Sequence, residues 1–260
     1  MIVGYIQNAP RFGNKEENFK QVENLTRGLK ADLLVLPELF ATGYTLISRA
    51  EAVQMAESNE GGTARFLMKL SDATGAVVVG GFIEQEGDQI YNSALMVYGN
   101  SVIGSYRKIH LFYHEQFWFS PGNKPLPVYE VKGMKIGMMI CFDWMFPETM
   151  RTLVLRGAQI VAHPANLVLP YCQYSMVTRC LENRAFAITA NRVGRETRGN
   201  DDFLFTGKSQ ITDVEGKILA SGDIDTPQVA LTEIDIHRAD NKDINSINNW
   251  VSDRRPEFYF

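Results

Sequence analysis

Apolar and polar positions along this chain switch between two periods, and the switches mark its elements. Residues 2–7 form an apolar run that reads as a strand. Asn14 then stands before a helical pattern in which Phe19, Val22, Leu25 and Leu29 share one face, with Glu17 in capping-box position. The four apolar residues 33–36 make a short strand that Pro37 ends, so Glu38 emerges at its exit. Residues 63–73 read as helix through Phe66, Leu67 and Leu70, and the unbroken apolar run 76–83 predicts a fully buried strand. Residues 92–98 and 101–106 predict a hairpin turned at Gly99-Asn100. Residues 134–140 read as another buried strand, followed by helix over 149–156, strand over 159–163, helix over 173–184 and strand over 186–190. The last third, around 207–213, 217–221 and 228–233, is mostly strand. This alternation predicts an α/β protein, with no internal repeat and no low-complexity segment.

Composition narrows the class. At 260 residues and 45% hydrophobic, the chain can bury a sizeable core, and no linker divides it, so residues 1–260 are read as one domain. A net charge of -4 argues against a nucleic-acid or anionic-membrane surface. Residues 107–119 mix basic and aromatic side chains, but Glu115 interrupts them and no second basic cluster supports a single-strand binder. No apolar stretch approaches the ~20 residues of a membrane span, and the first residues form a strand pattern instead of a signal peptide. Cys141, Cys172 and Cys180 are an odd set without metal-ligand spacing. They suit a reducing compartment, so a cytoplasmic protein without disulfides, metal or cofactor is expected. His110 and His114 are spaced i, i+4, but no glutamate stands as in a zinc-protease helix, and His163 and His237 are scattered.

Candidate chemistry sits at strand exits. Cys141 follows the strand 134–140 and precedes a helical pattern, a place where a thiol gains exposure and free backbone N–H groups. A free cysteine among apolar residues is also commonly a small buried hydrophobe. Glu38 leaves its strand beyond Pro37, where catalytic groups of α/β proteins gather. Lys108 follows the strand-like residues 101–105 among aromatic and aliphatic neighbours. Taken singly, Glu38 reads as a solvated loop acid and Lys108 as a surface cation. Together, carboxylate, ammonium and thiol form a complete nucleophilic set.

Three motifs carry a family resemblance. They are Leu36-Pro37-Glu38 with Thr42-Gly43-Tyr44, then Arg107-Lys108-Ile109-His110-Leu111, then Ile140-Cys141-Phe142-Asp143 with Phe146-Pro147-Glu148. With Val3-Gly4-Tyr5-Ile6-Gln7 at one end and Arg254-Arg255-Pro256-Glu257-Phe258-Tyr259 at the other, the chain resembles the nitrilase superfamily of carbon–nitrogen hydrolases, close to its short archaeal-type members. The resemblance implies a four-layer α-β-β-α sandwich with two pseudo-symmetric halves, and a Glu38-Lys108-Cys141 triad. In it, Glu38 is the proton carrier, and Lys108 favours the thiolate. Lys108 and the backbone N–H of Phe142 stabilise the oxyanion. Glu115 stands where the family has a second glutamate, though by itself it reads equally as a loop acid. Tyr44, Trp144, Asn166 and the turn 163–166 match positions near the substrate, and Trp144 reads equally as core.

The resemblance implies small linear amides or carbamoyl compounds as substrates, because Phe142-Asp143 follows the nucleophile as in the family's amidases and carbamoylases. Its nitrile hydrolases usually carry Trp-Glu there. A nitrilase using the same triad is the alternative. Two further readings are a Cys-His hydrolase with His110 or His114 as base, and a catalytically silent scaffold, against which all three triad positions speak. The resemblance also implies a homodimer or larger homo-oligomer. Its subunits would pair through the helical stretches holding Met150, Leu153 and Val154, and Tyr174, Met176 and Val177. The aromatic tail, about 244–260, would reach the partner; the alternative is a tail folded back on its own domain.

Overall fold

The computed structural model describes residues 1–259. In chain order its strands and α-helices are β1 (Ile2–Gln7), α1 (Lys15–Leu25), β2 (Leu33–Val35), α2 (Arg49–Met55), α3 (Gly62–Thr74), β3 (Val77–Glu86), β4 (Gln89–Tyr98) and β5 (Ser101–Arg107). Then come α4 (Glu115–Trp118), β6 (Val128–Val131), β7 (Met134–Met138), α5 (Pro147–Leu155), β8 (Ile160–Pro164), α6 (Cys172–Asn183) and β9 (Phe186–Ala190). The last are β10 (Arg195–Arg198), β11 (Asp201–Leu204), β12 (Gln210–Thr212), β13 (Ile218–Ser221) and β14 (Gln228–Glu233).

Two six-stranded sheets carry the fold, ordered β14-β1-β2-β3-β4-β5 and β13-β12-β9-β8-β7-β6. Each has three parallel strands, β1-β2-β3 in one and β7-β8-β9 in the other. Each continues through two antiparallel strands, β4-β5 or β12-β13, and has one antiparallel strand beside its first, β14 or β6. The two halves therefore repeat one topology.

The side-chain period of 2 decides the layers. In the first sheet Leu33, Val35, Val77, Val79, Ala94 and Met96 face one way and share a core with Ile136, Met138, Ile160, Ala162 and Ile188 of the second sheet. Their neighbours Leu34, Val78, Leu95 and Val97 face the other way, onto Val22 of α1 and Phe66, Leu67 and Leu70 of α3. On the far side α5 and α6 cover the second sheet with Met150, Leu153, Val154, Met176 and Cys180. The result is helix, sheet, sheet, helix.

Several local expectations change. Asn14 does accept from Glu17 N, but the Glu17 carboxylate accepts from the Asn14 side-chain amide, so the reciprocal backbone bond of a capping box is not made. α1 stops at Leu25, leaving Leu29 beyond it, and the strand expected over 207–213 pairs only at Gln210–Thr212. α2, α4, β6 and the β10-β11 hairpin had no clear periodic signal. Met150, Leu153, Val154 and Met176 are core residues instead of contact surface, whereas Tyr174 is exposed. The tail carries exposed Ile247, Val251, Phe258 and Tyr259; its last residue, Phe260, lies outside the described residues.

Candidate active site

β2, β5 and β7 end on the same side of the two sheets and deliver Glu38, Lys108 and Cys141 to one buried cluster. Glu38 follows Pro37, and its turn lies directly against β3, where Gly81 N donates to Pro37 O. A Cβ at Gly81 would stand 2.5 Å from Glu38 Cα, so only glycine allows that approach. Lys108 is the residue after β5. Its backbone N–H donates to Asn92 O and its carbonyl accepts from Gly122 N, which fixes the stem on both sides. The preceding Arg107 is buried against Glu84, and its guanidinium lies over the Tyr91 ring. Cys141 opens a tight helical turn, Cys141–Met145, with φ of 41°, a left-handed backbone that a side chain adopts only when its surroundings hold it there.

Those surroundings are specific. The Ile140 N–H donates to Asp143 Oδ2 at 2.8 Å on one side of the cysteine. The Cys141 carbonyl accepts from His163 Nε2 at 3.0 Å on the other. Since that carbonyl can only accept, Nε2 carries the proton, and Nδ1 accepts from Thr189 Oγ1 at 3.1 Å. Burial pulls the His163 pKa down to about 4, so the ring is neutral and keeps this tautomer at neutral pH.

Charge is concentrated on one lysine. Lys108 Nζ donates to Glu38 Oε1 at 2.7 Å and to Glu115 Oε1 at 2.8 Å, all three side chains being almost wholly buried. Burial works against the ammonium, but the Glu115 and Glu38 carboxylates outweigh it and hold its pKa above the ordinary lysine value. An ammonium has three protons, so one remains for a further acceptor. Asn92 Nδ2 also donates to Glu38 Oε1, at 2.6 Å, leaving Glu38 Oε2 buried with no hydrogen-bond partner among the described residues. That oxygen is the site's free proton acceptor. Glu115 also accepts from the Tyr44 hydroxyl at 2.8 Å and, through Oε2, from Phe112 N. Burial first, with Glu38 adding to it against the opposing pull of Lys108, raises Glu115 to about 7.

The thiol differs from the sequence expectation. Cys141 is 6% exposed, since the turn packs beneath the segment holding Asn166, and Sγ lies 3.7 Å from Asn166 O. Burial pushes its pKa well above the usual thiol value, the Glu38 carboxylate adds to this, and Lys108 only partly offsets it. Cys141 therefore rests as a thiol, and Lys108 does not by itself generate a thiolate. A narrow cavity of about 10 Å³ beside Sγ is lined by Phe112, Phe142, Trp144, Asn166, Leu167, Val168 and Leu169.

Trp144 and Asn166 thus reach this cavity, and the Asn166 amide also donates to Glu38 O at 2.8 Å. Tyr44 does not line it; the tyrosine is a partner of Glu115, and its own backbone N–H is held by Glu196. Phe142 is the second residue of the Cys141 turn, where helical N–H groups lack partners within the turn. His110 Nδ1 is bound to Asp143 and His114 Nδ1 to Asp201. Cys172 and Cys180 are unpaired and buried, with burial raising both thiols. Among the described residues no cluster of His, Cys, Asp or Glu could hold a metal ion, and no helix is long and apolar enough to cross a membrane. Sequence reading missed Asn92 and the role of His163. The signal for the first was a polar Asn92-Ser93 pair inside an otherwise apolar strand.

Comparison with known proteins gives a family model, a relative and two solved structures. The family model described as carbon-nitrogen hydrolase matches residues 2–242. A protein of Pyrococcus abyssi named nitrilase is 44% identical over 262 residues, covering 99% of this chain and 98% of the relative. A carbon-nitrogen hydrolase of Helicobacter pylori G27 superposes with a TM-score of 0.90 at 24% identity, over 100% of this chain and 97% of its own, a likeness of fold. A glutamate-to-glutamine mutant of an amidase of Nesterenkonia sp. AN1 superposes with a TM-score of 0.81 at 25% identity, covering 99% of this chain and 94% of its own. In that amidase the acetamide moiety of fluoroacetamide is covalently added at the active-site cysteine.

Proposed function

This chain belongs to the carbon-nitrogen hydrolase family, and we propose that within it the protein is a thiol hydrolase of small linear amides or carbamoyl compounds, with Cys141, Glu38 and Lys108 as its triad. The observation that carries the reading is the division of labour on Glu38. One oxygen is saturated by Lys108 and Asn92, and the other is buried and free to take a proton.

The chemistry follows from that asymmetry. Cys141 Sγ forms a bond to the amide carbon while its proton passes to Glu38, so thiol and base act together and no standing thiolate is needed. The carbonyl π electrons move onto oxygen, where the third Lys108 proton and the Phe142 N–H stabilise them; losing one such donor typically costs ~10²–10³ in rate. Collapse breaks the carbon–nitrogen bond, Glu38 returns the proton to the departing ammonia or amine, and a thioester remains on Cys141. Water then attacks the thioester carbon with Glu38 taking its proton, and the carboxylic acid and the thiol are released. Glu115, held by Tyr44, keeps the ammonium between the two carboxylates. The narrow cavity lined by Phe142, Trp144, Leu167 and Val168 favours a small uncharged acyl group.

A second reading, a nitrilase using the same triad, is favoured by the identity to the Pyrococcus protein of that name. It differs in passing through a thioimidate, which adds water and expels ammonia to reach the same thioester. Ammonia release from matched amide and nitrile pairs distinguishes the two. We expect the amide to have the higher kcat/KM, and nitriles turning over faster than every matched amide would reverse the assignment.

We further propose a homodimer or larger homo-oligomer. In support, Tyr174 and Leu181 of α6, Leu155 of α5, and Phe258 and Tyr259 of the tail are exposed apolar residues, and a second copy of this chain would cover them.

A further inference from the structure

The Asp143 carboxylate is fully buried and binds three groups from two different parts of the chain. Oδ2 accepts from Ile140 N at 2.8 Å and from the Tyr106 hydroxyl at 2.8 Å. Oδ1 lies 2.7 Å from His110 Nδ1, and because a carboxylate can only accept, that nitrogen carries the proton. Tyr106 and His110 stand two residues before and two residues after Lys108. Ile140 is the residue whose peptide leads into the left-handed Cys141. The Tyr106 oxygen also accepts from Ile109 N, closing the loop around Lys108 from below. His110 is stacked on Phe146 at 3.6 Å between ring centroids, so its ring is held in place as well.

We infer that Asp143 is a positioning residue that fixes the Lys108 ammonium relative to the Cys141 sulfur. The inference rests on the triad reading above and goes beyond it. Lys108 comes from the first half of the fold and Cys141 from the second, on two sheets whose strands are not paired with each other. One carboxylate bound on both flanks of Lys108 and to the peptide entering Cys141 ties the two segments directly to each other and so fixes their separation. Such fixing matters because a displacement of about 1 Å can cost ~10²-fold in rate. Asp143 itself touches neither the sulfur nor the lysine nitrogen, so its effect must run through them.

The test compares variants of the full-length protein in ammonia release from a small amide, with melting temperature as the check on folding. Tyr106→Phe removes one of the three bonds and should lower kcat ~10-fold with KM changed less than about threefold. Asp143→Ala removes all three and should lower kcat ~10²-fold or more. Asp143→Asn, which can still accept from Ile140 and Tyr106, should recover most of that loss.

The decisive arm repeats Tyr106→Phe in a Lys108→Ala background, read as the rate of Cys141 alkylation by iodoacetamide if turnover is too slow. A residue acting through Lys108 has nothing left to position there, so the second substitution should add less than about twofold. Equal losses in both backgrounds, or a folded Asp143→Ala with wild-type kcat, overturn the inference. If Asp143→Ala does not fold, Tyr106→Phe in the two backgrounds decides. Failure of the triad reading looks different, because Cys141→Ala would then keep its activity.

Discussion

Replacing Gly81 by alanine puts a methyl group where the Glu38 turn now sits. The new Cβ would lie 2.5 Å from Glu38 Cα and 2.6 Å from Leu39 N, both backbone atoms that no side-chain rotation can move away. Carbon atoms pack at about 3.5–4.0 Å, so the turn must retreat by roughly 1 Å. That displacement, applied to the carboxylate proposed to carry the proton in both half-reactions, should lower kcat by ~10²-fold. Overpacking of this kind costs about 1–3 kcal/mol, or roughly 2–10 °C in melting temperature for a chain of this size. Gly80 supplies the control on the other face of β3. Its Cβ would meet only the Phe40 and Leu67 side chains at 3.0–3.1 Å, which can shift. Gly80→Ala should therefore cost stability but leave kcat within about threefold. Steady-state ammonia release and thermal melts on both variants make the comparison. Gly81→Ala with wild-type kcat, or both variants losing kcat equally, would refute the claim that this approach sets the base.

Lys108→Ala should lower kcat more than it raises KM, because its free proton is used in the transition state, and Glu38→Gln should lose acylation and thioester hydrolysis alike; steady-state and pre-steady-state assays separate these. His163 has a folded pKa of about 4 against an ordinary 6.5. Its depressed value contributes stability that is complete above about pH 6.5 and is lost as pH falls towards 4, at most roughly 3 kcal/mol. Urea unfolding at pH 7 and pH 4.5 should show a smaller drop for His163→Gln than for wild type, and an equal drop would exclude this ring as a source. Light scattering should give a mass of at least twice the 29.3 kDa of one chain, falling when the chain is cut before Asn249; a monomeric full-length protein would remove the dimer, and an unchanged mass after truncation the tail's part in it.

What the sequence made legible was whatever has a local signature. Glu38, Lys108 and Cys141 each stand at the exit of a strand-like stretch, which is visible from neighbours alone, and their joint pattern, not any one of them, marked the site. Asn92 was not, because its meaning depends on a carboxylate 54 residues earlier in the chain. Asp143 looked like part of the motif around the nucleophile, and only the fold brings Tyr106 and His110 to it. Tyr44, expected near the substrate, binds Glu115 beside the other site residues, and the loop carrying it is pinned by Glu196 from the β10-β11 hairpin, which lacks a clear alternating pattern. The thiol was expected to gain exposure at a strand exit; Asn166 and Trp144 close over it instead. Length and alternation gave the α/β class, but the face-to-face packing of two sheets depends on long-range contacts that periodicity does not contain.

The central claim is that Cys141, and no other cysteine, carries the acyl group between the two half-reactions. Rapid acid quench of the enzyme during turnover of a small amide, followed by peptide mapping by mass spectrometry, tests it directly. The account predicts an added acyl mass on the peptide containing Cys141, with Cys172 and Cys180 unmodified. An acyl group on another residue, or full ammonia release by a folded Cys141→Ala, would contradict it.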